Sequence, residues 1–511
     1  MQRRDAPVPI TPHGFWNNPA VLALMVLATA IPLLPPPIPP LTDLPGHMAR
    51  YYVELNLHAS PQLQRYFDFH WALIGNLGVD ILIIPMAKLF GLDIGLKLIV
   101  LAIPILLATG FLWTARELHG RIPPTTLFAL PLTYHFAFQY GFLNFSLSAA
   151  LCFLGFALWL RLERAGRLRL RAALFVPIAA LVWTAHAYGW GMLGVLVYST
   201  EVMRMRGQGR AWLKSLAMGA VHTLPLCLPF LLMVLWRSGD VRGFTGDWQW
   251  KAKGIWLISI LRERWKVWDI VGAVLLWLLV LAALFGVGLR MRANMRLAVF
   301  LLALLYVAIP RVLIGSGFAD MRLAAFVAAV GILGIRCDGP QSSGFPKAVA
   351  AAALVFFAGR IVVTTGDFAA ISRKWQEQLA ALPSIERGSR VLLLARIPCR
   401  DQWGSDRLDH VGSLALPRRE AFSNSQWALA GAQLLQVKYR AGAPFVVDPS
   451  HLARPDRCGD GQARIRLAAS VAPRAFDYLW LVDAPAAEWP HDPKLIGVWH
   501  DKQGVLYRVA R

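Results

Sequence analysis

The chain has 511 residues, of which 56% are hydrophobic and only 16% charged. Soluble domains carry about a quarter charged residues. The deficit here is concentrated in apolar runs of about 20 residues, long enough to cross a hydrocarbon core of roughly 30 Å, which excludes a single soluble core. The formal net charge of +22 does not point to nucleic acid, because the arginines stand in short clusters between apolar runs, where the positive-inside rule puts them.

Arg3 and Arg4 precede the first apolar run, residues 21–38, so residues 1–18 are expected in the cytoplasm. No small-residue cleavage site follows that run, which therefore reads as a retained span and not as a signal peptide. A first outer loop, residues 41–92, comes next. Its stretch 71–90 is apolar enough to cross, but Asn76, Asp80, Pro85 and Lys88 interrupt it. Reading it as a surface helix leaves Arg116/Arg121 and the cluster Arg161 to Arg171 on the inner side. Spans then follow near 94–113, 124–138, 141–160, 172–185, 189–203 and 216–236. A second outer loop, 237–269, precedes spans near 271–288, 297–314, 323–335 and 348–363. The expectation is an α-helical polytopic membrane domain over 19–365, with about 11 transmembrane helices.

Residues 366–511 change character and are expected outside as a small α/β domain. Residues 390–397, 444–447 and 476–482 read as strands, 422–439 as a helix, and 494–500 with 505–509 as a hairpin about the turn 501–504. Cys399 and Cys458 lie in this region, either as a disulfide if it faces outside or as two free thiols.

The densest polar set follows the first span. Asp43 precedes Pro45, so it can cap a helix, and His47 lies four residues on, on the same face. Arg50, Tyr51, Glu54, His58, Asp68 and His70 continue the loop. Outer corners add Tyr140 and Asn144, then His186 and Tyr188, then Ser316, Asp320 and Arg322. Arg311 is expected inside an apolar span, where a charge is costly and is paired or functional. Arg322 is read either as functional or as a structural partner of Asp320. The second outer loop carries Asp240, Arg242, Lys251 and Lys253, and residues 255–268 have the composition of an interfacial amphipathic helix.

Over roughly the first 365 residues this pattern resembles the GT-C superfamily, integral-membrane glycosyltransferases that use polyprenyl-phosphate sugars. An acidic residue soon after the first span, an outer loop with a surface helix, and polar corners at Gln139-Tyr140-Gly141, His186-Ala-Tyr188-Gly189 and Asp320-Met-Arg322 carry the resemblance. Asp43-Leu-Pro45-Gly-His47-Met-Ala-Arg50 also looks like the first-loop motif of a group of uncharacterised bacterial membrane proteins of this type. The resemblance implies a multi-pass protein of the bacterial cytoplasmic (inner) membrane, with its site and C-terminal domain on the periplasmic side. It implies transfer of a hexosyl or pentosyl group from a polyprenyl-phosphate donor to a glycan, lipid or protein acceptor, among membrane lipids and without nucleic acid.

On that reading Asp43 is the general base and His47 orients it. Arg322 and Arg311, with Lys251 and Lys253 as lid contacts, hold the donor phosphate, and Tyr140, Asn144, His186, Tyr188, Asp320 and Arg50 bind substrate. The chain lacks the adjacent acidic pair such enzymes carry after the first span, so a divalent metal ion is left open as the one candidate cofactor. A transporter or flippase of a lipid-linked or polar substrate is the alternative. It predicts polar groups spread through the midplane of the spans.

Overall fold

The computed structural model describes residues 14–235, 245–313, 316–336, 344–399, 403–404, 407–426, 428, 433–446 and 450–510. Among the described residues, five helices are long and apolar enough to cross a membrane: Gly78–His119, Leu143–Arg164, Leu168–Ala185, Lys266–Phe285 and Gly344–Ser384. Trp212–Leu226 and Leu228–Val234, bent by 63°, make a sixth if taken as one span. Pro19–Leu33 and Ala293–Ala308 are apolar but shorter. The eleven expected spans are thus not eleven full-length helices. Residues 124–138, for instance, form a buried 3-10 run, Pro124–Tyr134, followed by the short helix Phe136–Tyr140. Pro131 inside that run withholds an N–H and crowds the preceding turn, which disfavours the α-helical ladder.

The helical bundle has two chemically different ends. At one, Trp16 Nε1 donates to Ile122 O (3.0 Å), His119 Nε2 lies 2.8 Å from Leu333 O, and Asn294 Nδ2 donates to Thr200 Oγ1 (3.1 Å). Arg161 and Arg164 reach Glu117 there, Arg204 joins Arg171 on Glu201, Arg292 donates to Leu118 O, and Arg336 pairs across strands with Arg290. Buried Glu201 takes Arg171 at 2.9 Å and the Trp159 indole at 3.1 Å, so its charge is paired. At the other end Asp43 N donates to Tyr140 O (2.9 Å), Leu77 N to Thr184 O (2.8 Å) and Ala187 N to Gly75 O (2.9 Å).

Residues 71–77 are not helical, so the expected surface helix begins only at Gly78. Gly91, at φ 76° and ψ 163°, then breaks the run to His119. A Cβ on Gly95 would stand 2.8 Å from the Met86 carbonyl carbon, whereas nine residues of straight helix span about 13 Å. The chain therefore folds back at Gly91. Residues 78–90 form a separate helix with Ile81, Leu82, Ile84, Leu89 and Phe90 exposed.

Gly344–Leu379 is a 36-residue helix. At 1.5 Å per residue it is about 54 Å long, well beyond the roughly 30 Å of a hydrocarbon core. Its last turns carry Ile371 and Trp375 under the C-terminal sheet. The main strand order is Phe422–Ser423, Arg390–Arg396, Tyr478–Val482, Gly504–Val509, Leu495–His500, with Leu452–Ala453 also on Arg390–Arg396. Arg390–Arg396 pairs parallel with Tyr478–Val482, and the terminal hairpin adds antiparallel strands. Alternation by two sorts the side chains. Val391, Leu393 and Trp480 pack on Trp375, whereas Leu392, Leu394, Leu479 and Leu481 pack on Ile465, Ala468 and Ala472 of the helix Gly461–Ala475. Cys399 and Cys458 form a disulfide.

Two expectations for this domain are corrected. Residues 422–439 are not a helix but carry the strands Phe422–Ser423 and Leu435–Val437. Their partners, Arg390–Arg396 and the first-loop strand Phe67–Phe69, are distant in sequence and override local periodicity. Residues 441–446 form turns in place of a strand, with Val447 outside the described residues. The helix Gly461–Ala475 was not foreseen. The pairing of Phe67–Phe69 with Leu435–Val437, joined by Tyr52 Oη donating to Glu420 Oε1 (3.1 Å) and Lys438 on Asp68 (3.0 Å), fastens the first loop to the C-terminal domain.

Candidate active site

Where the first loop, the helix corners and the C-terminal domain meet lies a cavity of about 190 Å³. Asp43, His47 and Tyr51 line one side, Tyr140, Phe142, Asn144 and His186 another, Ser316, Phe318 and Arg322 a third, and His410 comes from the C-terminal domain.

Asp43 occupies the cap position of the helix Leu44–Asn56, yet its side chain makes no capping hydrogen bond. The carboxylate faces the cavity instead. Its backbone is locked by Asp43 N donating to Tyr140 O (2.9 Å) and Thr42 N to Gln139 O (3.3 Å). This approach needs Gly141, at φ 108°, because a Cβ there would meet Asp43 Cβ at 2.8 Å. Burial pushes the Asp43 carboxyl well above its ordinary range, and Asp409 adds to the rise while Arg322 opposes it. His47, one turn on, is held well below the usual histidine range by burial, then by Arg50 and His410, against a hydrogen bond with the Gly141 backbone. It is a neutral imidazole near pH 7.

Arg322 is 6% exposed, and its Nη1 donates to Ser316 Oγ (3.1 Å) and Gly317 O (3.0 Å). The guanidinium lies 4.3 Å from the Phe142 ring centre and 5.7 Å from that of Tyr188. Asp320 has Lys253 Nζ at 3.5 Å, so its ion-pair partner is Lys253 rather than Arg322. That lysine also donates to Tyr306 O (2.8 Å) and Ile309 O (2.6 Å). Lys253 is therefore a buried brace and does not line the cavity, and Lys251 is exposed.

Arg311 is not inside a span. It follows the helix Ala293–Ala308, half-buried, donating to Gln249 Oε1 (2.6 Å) and lying 4.6 Å from the ring of the cavity residue Phe318. Arg50 is turned away from the cavity onto Asp80. Asn144 links that pair to the site, donating to Asp80 Oδ2 (3.0 Å) and accepting Val79 N (2.6 Å). His186 caps the helix Ala187–Gly207 through Nδ1, which accepts from Tyr188 N (3.1 Å).

Residues 255–268 are not one amphipathic helix. Trp250–Ile258 stops, and Lys266–Phe285 starts afresh. Asp269 accepts from Glu263 N (2.8 Å) and Trp403 Nε1 (2.7 Å), and Arg360 reaches Leu261 O (2.7 Å) and Glu263 (3.3 Å). Those tertiary partners hold residues 259–265 out of the helix. Asp240 and Arg242 lie outside the described residues.

The sequence reading missed the C-terminal contribution. His410 Nε2 stands 3.9 Å from Asp43 Oδ1 and 3.5 Å from Asp409 Oδ2, and its Nδ1 is 2.9 Å from Ser425 Oγ. Buried Arg407 donates to Pro40 O (2.7 Å), Gln139 O (2.9 Å) and Gln139 Oε1 (2.5 Å), bracing the strand of backbone that carries Asp43. Asp409 and His410 are adjacent titratable residues, a signal that could have been noticed, but nothing local ties them to Asp43. Among the described residues no group of three or more His, Cys, Asp or Glu side chains is arranged to hold a metal ion.

Fold and site define a multi-pass membrane protein with a charged cavity at one end of its helical bundle, closed over by an α/β domain. The chain is similar in structure to ArnT from Cupriavidus metallidurans. The form bound to undecaprenyl phosphate matches with a TM-score of 0.48 and 11% identity over 96% of each chain. The apo form matches with a TM-score of 0.46 and 12% identity, again over 96% of each chain. No family model and no curated protein matches the sequence.

Proposed function

We propose that the chain is a membrane glycosyltransferase that moves a sugar from a polyprenyl-phosphate donor to an acceptor hydroxyl at the outer face of the cytoplasmic membrane. One observation carries the reading: the Asp43 carboxylate and the Arg322 guanidinium line the same cavity, at the seam between apolar helices and a polar domain. As the bond from the anomeric carbon to the phosphate oxygen breaks, its electron pair goes to the phosphate, and a fixed cation there stabilises the transition state. Arg322, aimed by Ser316 and Gly317, serves as that cation, with Arg311 at the rim and Lys251 as an exposed lid contact. Asp43 accepts the proton of the attacking hydroxyl. Tyr140, Asn144 and His186 form the walls against which the sugar is held, and Tyr188 stands beside the Arg322 guanidinium. The disulfide Cys399–Cys458 supports an oxidising, periplasmic setting for the C-terminal domain, as does the clustering of arginines at the far end of the bundle.

The test uses membranes supplied with undecaprenyl-phosphate-linked sugars. Asp43→Asn should lower transfer by about 10²–10⁴-fold, the usual contribution of a general base, with normal expression. Wild-type turnover in Asp43→Asn would remove Asp43 from the mechanism.

A further inference from the structure

We infer that His410, supplied by the C-terminal domain, is a positioning residue for Asp43, holding a positive charge beside the carboxylate so that it is ionised when the acceptor arrives. The inference rests on the reading of Asp43 as the base.

The geometry is specific. His410 is 1% exposed, and one edge of its ring faces two carboxylates, Asp43 Oδ1 at 3.9 Å and Asp409 Oδ2 at 3.5 Å. The other edge meets Ser425 Oγ at 2.9 Å. Ser425 is itself fixed, its carbonyl accepting from Ser413 Oγ (2.9 Å) and its N–H reaching Ser423 Oγ (3.3 Å). The ring therefore has one orientation, with Nε2 turned to the acids.

Among the described residues, the charged and titratable groups around it include Asp43, His47 and Tyr51 from the helix Leu44–Asn56 and its cap, Arg322 from the helix Ala319–Leu333, and Asp409 from its own segment. Nε2 faces both carboxylates, so a protonated His410 sets one cation against Asp43 and Asp409 together. Two carboxylates brought against one imidazole repel each other, so without that cation Asp43 keeps its proton and cannot act as a base. The C-terminal domain is then part of the active site and more than a cover over it.

The full-length protein in membranes, with an undecaprenyl-phosphate-linked sugar as donor, provides the test. For His410→Gln the acidic limb of the kcat/KM profile should move up by about one pH unit, a tenfold loss on that limb that is recovered on the alkaline side, with donor KM unchanged. Ser425→Ala, which keeps the ring but removes the partner of its Nδ1, should move the limb in the same direction by less, and it decides the matter if His410→Gln does not accumulate. A uniform loss at every pH in either variant, with the limb unmoved, overturns the inference. Asp43→Asn separates the two claims. If it is inactive while the His410→Gln limb stays put, only the role of His410 falls; if it is active, the base assignment and the inference fall together.

Discussion

Gly141→Ala tests the architecture of the site through a single methyl group. At φ 108° the residue lies in a region L side chains rarely adopt, a strain of about 1–3 kcal/mol. The added Cβ would also stand 2.8 Å from Asp43 Cβ and 2.9 Å from Asp43 N, against an optimum of about 3.5–4.0 Å between carbon atoms. Relief requires roughly 1 Å of separation, and the backbone that moves is the segment 42–43, held by the Asp43 N to Tyr140 O bond of 2.9 Å. A displacement of about 1 Å at a reacting group costs on the order of 10²-fold in rate. The expected outcome is a protein that still inserts and folds, destabilised by about 2–4 kcal/mol, with transfer reduced about a hundredfold. Thermal unfolding in detergent and donor turnover in the same preparation measure the two effects. Gly194→Ala is the control: it lies inside the helix Ala187–Gly207, a Cβ there meets nothing within 4 Å, and alanine in a helix interior gains about 0.5–1 kcal/mol over glycine. Wild-type turnover and stability in Gly141→Ala would refute the claim that Asp43 is locked by this corner.

Asp80→Ala should destabilise the protein by about 3–5 kcal/mol, because it strands the buried Arg50 guanidinium and removes an acceptor of Asn144; an unchanged thermal midpoint would show the pair to be dispensable. The double variant Cys399→Ser/Cys458→Ser opens a loop of sequence separation 59 and should cost about 4 kcal/mol in the C-terminal domain. In the wild type a membrane-impermeant maleimide should label these two cysteines only after reduction, and labelling beforehand would contradict the disulfide.

Membrane class and the two ends of the bundle were legible in the sequence because both depend on local composition. Long apolar runs and short arginine clusters declare themselves whatever the tertiary structure does. The strands Arg390–Arg396 and Tyr478–Val482 were legible for the same reason, since they are buried on both faces and read as continuous apolar runs. Asp43, His47 and Arg322 stood out as polar residues in apolar surroundings, and the cavity they line follows from the chain returning repeatedly to the same end.

Tertiary structure alone decided which charge meets which. Asp320 is paired by Lys253, 67 residues earlier, and not by its neighbour Arg322. Arg50 is neutralised by Asp80. Residues 422–439 give up their helical periodicity for strand partners from the first loop and from Arg390–Arg396. Most consequential is His410, more than 360 residues from Asp43 and 3.9 Å away. Ion pairing and strand pairing depend on separation in space, on which local periodicity carries no information, so these contacts emerge only when the C-terminal domain is folded onto the first loop.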